Sequence, residues 1–324
     1  MRYRKLGKWG LKVSEIALGS WMTDVSDAKA QEIAAEGVRK SYELGVNFFD
    51  CADAYSGGGA EKFLGNVLSE YERSSYILSS KVFFPTGKGP NDRGLSRKHI
   101  FENVDKSLKN LKTDYLDLYF CHRYDPDTPV EETMEALSDL VKMGKILYYG
   151  VSEWMPSQVM EALNVIEKKN LRPLSVIQPE YNMVDRFIED EMMGICEKNG
   201  IGIVAFSPLA QGLLTGKYKK GKPIPEGSRA THQADKQINK LLTDENLDKV
   251  EKLSRIAEDM GITTAQLALA WTLRKPCMSS LIVGASRPEQ AVSNVAASGI
   301  VLSQDVLDEI ENILDYKPFV RKIG

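Results

Sequence analysis

The chain offers little sulfur chemistry. Its four cysteines, Cys51, Cys121, Cys196 and Cys277, are widely scattered, with no CxxC pair and no short disulfide framework, so a reducing compartment is expected. Histidine is scarcer: His99, His122 and His232 fall in different kinds of segment with no HxH or HExxH pattern, which predicts no protein-bound catalytic metal. Ser152, Ser207 and Ser286 stand in no GxSxG elbow, against a hydrolase of that design. No stretch approaches the roughly 18 consecutive apolar residues of a membrane span. The opening MRYRKLGKWGLKVSEIALG lacks the continuous apolar region of a secretory signal, so the reading is a cytoplasmic protein with no direct membrane insertion. An excess of one charge is also missing. The 42 basic and 45 acidic residues leave a formal charge of -3, which argues against wholesale binding to nucleic acid or a membrane surface.

What is present suffices for a large core. With 43% hydrophobic residues among 324, and charge of both signs, the chain is folded rather than disordered. Short apolar runs rich in β-branched and aromatic residues at 17–21, 47–52, 76–81, 115–122, 146–152, 174–181, 202–208 and 279–286 read as buried strands. Amphipathic stretches at 28–44, 60–71, 97–111, 130–143, 156–168, 188–198, 244–273 and 288–297 read as helices, the seventh interrupted near Gly261. Pro156 suits a first turn, and Gly45, Gly144 and Gly200 follow helical patterns. RYRKL and KVSEIAL around GKWG predict an N-terminal β-hairpin, and 304–314 predicts an additional C-terminal helix.

Eight strands alternating with helices favour an α/β fold of the (β/α)8, or TIM barrel, type, carried by residues 1–324 as one domain. A doubly wound sheet is the rival. It would usually bring a GxGxxG fingerprint to its first strand–helix turn, and residues 19–23 have none. The cluster Gly57, Gly58 and Gly59 follows the second strand instead, with a different spacing. Residues 210–240, including TGKYKKGKPIPEGSRATHQ, form the one long irregular stretch. Loops of that length in compact domains often act as lids or binding segments.

Four ionisable groups fall at predicted strand ends: Asp50 in NFFDCA, Tyr55 just after it, Lys81 closing YILSSK and His122 closing YLDLYFCH. In a barrel they share the face on which barrel enzymes build their sites. A lysine beside a tyrosine is expected to favour phenolate and lower the tyrosine pKa, while an aspartate keeps the ammonium charged and oriented. Tyr55 would then pass a proton near neutral pH, and His122 would hydrogen-bond a carbonyl oxygen. Composition and spacing alone leave proton transfer, carbonyl reduction and hydrolysis open.

Longer motifs narrow the choice. RYRKLGKWGLKVSEIALGSW, GVNFFDCADAYSGGGAEKFLG, VAFSPLAQGLLTGKY and LIVGASRPEQAVSN together resemble the aldo-keto reductases, above all the branch that includes the beta subunits of voltage-gated potassium channels. The resemblance runs from Arg2 to Ala297. It implies a (β/α)8 barrel that uses a nicotinamide cofactor, usually NADPH/NADP+, without a Rossmann domain. It makes Asp50, Tyr55, Lys81 and His122 a catalytic tetrad. Tyr55 is then the general acid in reduction and the base in alcohol oxidation, Lys81 and Asp50 are its tuning pair, and His122 orients the carbonyl. Channel beta subunits often depart from histidine at the fourth place, so His122 completes an enzymatic set.

The same resemblance assigns the cofactor. Ser152 and Gln178 meet the nicotinamide amide, Phe206 stacks on the nicotinamide ring, and Ser207, Pro208 and Leu209 line the pyrophosphate path. Lys217 and Arg229, in the 210–240 loop, contact phosphates and the adenosine side. Gly284, Ser286, Arg287, Gln290 and Asn294 grip the adenine and 2'-phosphate, and Trp21, Asp50 and Gly212 complete the set. A GAS turn before a Pro-initiated helix fits phosphate binding, with Arg287 adding charge. Glu153 stands where many relatives have Asn or Arg, and Phe206 where they have Trp or Tyr. Trp21, Met22, Tyr55, Phe83, Phe84, Tyr124 and Trp154 are expected to form a partly aromatic pocket for a small carbonyl substrate.

The expected activity is NADPH-dependent reduction of an aldehyde or ketone. The alternative is a nicotinamide-binding redox sensor or regulatory subunit with slow turnover and a protein partner, a membrane channel being one open possibility. A barrel isomerase or lyase without nicotinamide is the remote third reading. Relatives form tetramers or larger assemblies, so a homo-oligomer is possible and the oligomeric state stays open.

Overall fold

The computed structural model describes residues 1–21, 23, 25–231, 236–285 and 287–318. Strands β1 (Tyr3–Lys5) and β2 (Lys12–Ser14) pair antiparallel as the predicted hairpin, with Arg4 opposite Val13. Eight further strands follow: β3 (Ile16–Gly19), β4 (Phe48–Asp50), β5 (Ile77–Val82), β6 (Leu116–Cys121), β7 (Ile146–Ser152), β8 (Val176–Gln178), β9 (Gly202–Phe206) and β10 (Met278–Val283). Every neighbouring pair among them is parallel, and β10 pairs with both β9 and β3, so the sheet closes. Closure removes the rival doubly wound sheet, which would leave two open edges.

The strands are near-continuous apolar runs because both faces are buried. Inward-pointing Ala17, Phe48, Ile77, Leu118, Phe120, Val176, Val204 and Ile282 fill the barrel, and Leu6 and Val13 of the hairpin join the same cluster. The hairpin thus plugs one end. Gly150 of β7 is required by close approach. A Cβ there would lie 2.4 Å from the Val176 carbonyl oxygen and 2.8 Å from the Phe120 ring.

Helices α1 (Ala28–Glu43), α2 (Gly59–Leu68), α3 (Arg97–Leu111), α4 (Val130–Lys142), α5 (Pro156–Lys169) and α6 (Met192–Asn199) alternate with the strands. Then come α7 (Lys236–Leu241), α8 (Asp244–Asp259), α9 (Thr264–Leu273), α10 (Pro288–Val295) and α11 (Gln304–Leu314). Their starts are written in side chains. Asp27 accepts the N–H groups of Lys29 and Ala30 at 2.8 and 2.9 Å, and Thr263 and Gln266 form a reciprocal capping box at α9. The predicted break in 244–273 is the α8–α9 junction.

The 210–240 stretch is less irregular than the sequence suggests. It holds 3-10 turns at Ala210–Thr215 and Arg229–Thr231 and the start of α7. The first turn passes through left-handed Gln211 (φ 58°) and Gly212 (φ 100°), a geometry without hydrophobic periodicity to betray it. Among the described residues no helix is long and apolar enough to cross a membrane, and no cluster of His, Cys, Asp and Glu could hold a metal ion.

Candidate active site

The C-terminal ends of the strands converge on one cleft of about 1400 Å³. Asp50, Ser152, Gln178 and Phe206 are the last residues of β4, β7, β8 and β9, and His122 follows the last residue of β6. All five line the cleft, as does Tyr55. Tyr55 opens a tight turn, Tyr55–Gly58, in which Ser56 and Gly57 take left-handed backbone angles. Lys81 is fully buried beneath Asp50 and Tyr55.

The hydrogen bonds make these groups one unit. The Lys81 ammonium gives its three donors to Asp50 Oδ2 at 2.6 Å, the Cys51 carbonyl at 2.8 Å and the Tyr55 oxygen at 3.2 Å. Asp50 Oδ1 accepts from Ser79 Oγ at 2.7 Å and Gln178 Nε2 at 3.0 Å. Because Lys81 donates to the phenolic oxygen, the phenolic proton is not consumed in the unit. The Tyr55 and His122 rings meet edge-on with centroids 5.6 Å apart.

Protonation here is set by burial. Burial favours the ordinary, protonated Tyr55 phenol and outweighs the opposing Lys81 charge, so its pKa lies above the usual tyrosine value. This corrects the expectation of a lowered pKa: the lysine that should favour phenolate shares its charge with Asp50 and sits in the same water-poor pocket. Lys81 loses solvation too, but Asp50 and Tyr55 more than compensate and hold it as ammonium. Burial, with the positive charges of Lys81 and Arg123, pushes His122 down to about 2, so the imidazole is neutral. Its Nδ1 is buried without a hydrogen-bond partner among the described residues.

The remaining predicted contacts mostly gather on the same walls. Trp21, Ser207, Pro208, Leu209, Gly212, Lys217, Arg229, Gly284, Gln290 and Asn294 all line the cleft. The Arg229 guanidinium lies 4.8 Å from the Trp21 ring. Asn182 Nδ2 donates to the Ser207 carbonyl at 3.1 Å and fixes a left-handed residue (φ 51°) at the rim. Arg287 is exposed at the start of α10 and is not among the lining residues. Ser286 and Met22 lie outside the described residues, as does His232. Of the expected aromatic pocket, Trp21, Tyr55 and Phe84 reach the cleft. Tyr124 and Trp154 pack on each other at 5.0 Å, and Phe83 packs on the core.

These donors suit a dinucleotide. The cleft offers a flat ring at Phe206, hydroxyl and amide groups at Ser152 and Gln178, and cations at Lys217 and Arg229. It also carries unspent capacity at His122 Nδ1 and at Gln211 Oε1, another buried atom without a hydrogen-bond partner among the described residues. The sequence reading missed Ser79, Arg123, Glu180 and Gln211. Ser79 was findable, since it stands two residues before Lys81 on the same strand face.

Comparison with known proteins follows the same line. The model of the aldo/keto reductase family matches residues 15–315. A protein of Arabidopsis thaliana described as a probable voltage-gated potassium channel subunit beta is 43% identical over 329 residues, covering 98% of each chain. One from Oryza sativa subsp. japonica with the same description is 42% identical, again over 98% of each. A putative voltage-gated potassium channel subunit beta of Schizosaccharomyces pombe is 41% identical over 325 residues, 98% of this chain and 94% of that protein.

Proposed function

The chain belongs to the aldo/keto reductase family, and from that membership we propose that it binds NADPH and works as a redox-responsive regulatory subunit with slow carbonyl-reducing turnover. The regulatory part is supported by near full-length similarity to three proteins described as potassium channel beta subunits. The chemical part rests on one observation, the Asp50–Lys81–Tyr55 unit at the cleft with neutral His122 beside it.

When bound, NADPH would supply hydride to the carbonyl carbon. The chain's own residues supply the rest. His122 gives the carbonyl oxygen a neutral hydrogen-bonding partner. As charge builds on that oxygen, Tyr55 transfers its phenolic proton to it, and the alcohol forms. The phenolate left on Tyr55 is held by the Lys81 ammonium, itself kept charged by Asp50, so the proton moves into a prepared site. Ser152 and Gln178 would hold the nicotinamide end, and Lys217 and Arg229 the phosphates. A dedicated reductase is the second reading, favoured by the histidine that completes the tetrad.

NADPH titration by fluorescence, followed by single- and multiple-turnover assays on an aldehyde panel, tests the proposal. NADPH should bind stoichiometrically and be oxidised slowly. Tyr55→Phe should bind it equally well while reduction falls about 10²- to 10⁴-fold. Absence of NADPH binding, or unchanged reduction in Tyr55→Phe, overturns the proposal. Rapid steady-state turnover favours the reductase over the regulator.

A further inference from the structure

The residue after His122 is a cation. Arg123 lines the cleft, half-buried, against the wall that carries the imidazole. Its Nη1 donates to the His122 carbonyl at 2.5 Å, and its guanidinium carbon lies 5.7 Å from the Phe84 ring. Phe84 in turn meets the His122 ring edge-on at 4.8 Å. The side chain is therefore held on the substrate side of the tetrad by main chain and ring together. Its charge reaches the imidazole, where it disfavours the imidazolium form.

That guanidinium has spent little of its capacity. A guanidinium carries five N–H donors in a planar fork, and one hydrogen bond to a carbonyl accounts for Arg123 here. Among the described residues it makes no ion pair, whereas Arg4, Arg39, Arg73, Arg97, Arg186 and Arg274 all do. A half-buried arginine with an open fork beside a carbonyl-orienting residue is suited to a planar anion.

We infer that Arg123 selects carbonyl substrates that carry a carboxylate or phosphate close to the reacting carbon. The inference rests on the assignment of Tyr55 and His122 as the groups that meet the carbonyl oxygen. Two carboxylates limit where the anion can sit. Glu153 and Glu180 line the same cleft, and Glu153 accepts the Glu180 main-chain N–H at 2.7 Å. Among the described residues neither forms an ion pair with Arg123, although its charge reaches Glu180 and opposes the rise that burial gives that carboxyl's pKa. Their like charge disfavours an anion placed against them.

Matched substrates test this with NADPH present: 3-carboxybenzaldehyde against 3-methylbenzaldehyde, and glyceraldehyde 3-phosphate against glyceraldehyde. The anionic member of a pair should be preferred in kcat/KM by about 10- to 100-fold, the range of a charge-assisted hydrogen bond, and through KM rather than kcat. The pair that shows the preference tells carboxylate from phosphate. Arg123→Gln should bring the two members together, and Arg123→Lys should restore part of the difference. A wild-type protein without preference, or a preference that survives Arg123→Gln, overturns the inference. Binding of benzoate against benzamide to the NADP+-loaded protein, by calorimetry, reads the same selectivity without turnover. Tyr55→Phe should lower reduction of every substrate about 10²- to 10⁴-fold while leaving benzoate selectivity intact, so failure of the tetrad assignment and failure of Arg123 give different patterns.

Discussion

At Tyr55 two effects oppose each other, and their order decides which form of the side chain meets a substrate. Loss of water raises the phenol pKa more than Lys81 lowers it, so the resting group is a proton donor. Reduction uses that form directly, whereas alcohol oxidation first requires the phenolate. His122 gives a sharper prediction. With its pKa driven to about 2 by burial, Lys81 and Arg123, the imidazole should show no titration between pH 5 and 8 in two-dimensional NMR, and the pH profile of reduction should have no limb near 6.5. Asp50→Asn removes the countercharge of a fully buried ammonium. Breaking one side of such a pair costs about 3–5 kcal/mol, so thermal and denaturant unfolding should show a loss of that size together with loss of reduction. Residues of this unit were legible because strand ends on one face converge. Arg123 and Glu180 were not, because a charged residue just past a strand has the same signature as a solvated turn.

The turn that carries Tyr55 is secured by elements around it. Asp53, buried two residues earlier, accepts a hydrogen bond from Asn103 Nδ2 of α3. Glu61 of α2 accepts from Ser80 Oγ of β5 at 2.6 Å and Asn110 Nδ2 of α3 at 2.9 Å. Burial, reinforced by Glu61, lifts Asp53 to about 7, against the opposing Asn103 bond and Lys81 charge. A carboxyl whose pKa is raised on folding binds its proton more tightly in the native state, so stability falls as pH climbs from about 4 to about 7 and is level above that. Asp53→Asn should remove this slope. Its melting temperature relative to wild type should be higher at pH 8 than at pH 5, by an amount corresponding to at most about 3 kcal/mol. Gly65 permits α2 and α3 to touch, since a Cβ there would lie 2.6 Å from Leu111 Cα and 2.7 Å from the Asn110 carbonyl. Gly65→Ala should therefore destabilise by about 1–3 kcal/mol, read by urea unfolding. Helix limits such as Arg97–Leu111 and Gln304–Leu314 match the sequence reading because Ser96 and Ser303 cap them. Strand limits do not: Cys51 and Ala52 extend the apolar run of β4 but belong to a buried loop, and hydrophobicity cannot separate a buried loop from a strand.

Across the whole molecule, the C-terminal helix is tied by charge to the β8–α6 connection and the end of α9. Glu311 of α11 meets Arg186 at 2.5 Å, Trp271 Nε1 at 3.2 Å and Arg274 at 3.5 Å. Arg186 also pairs with Glu189 at 2.7 Å. The same β8–α6 connection carries Asn182, which holds the Ser207 carbonyl at the cleft rim. Glu311→Ala leaves a nearly buried Arg186 with one partner fewer. It should lower the melting temperature and weaken NADPH binding several-fold, as measured by calorimetry, without altering the pH dependence of reduction. Alternation of strands and helices made the barrel readable, but the Arg186–Glu311 ion pair joins residues 125 apart and leaves no local pattern. The β3–β10 seam has a consequence for how the protein is made. Residues 16–19 and 278–283 must meet before the cleft has both of its walls, so a chain still emerging from the ribosome has two unpaired sheet edges and an unfinished cleft. A ligand that needs both walls can lock the finished barrel, but it cannot act before β10, the last barrel strand, has been made.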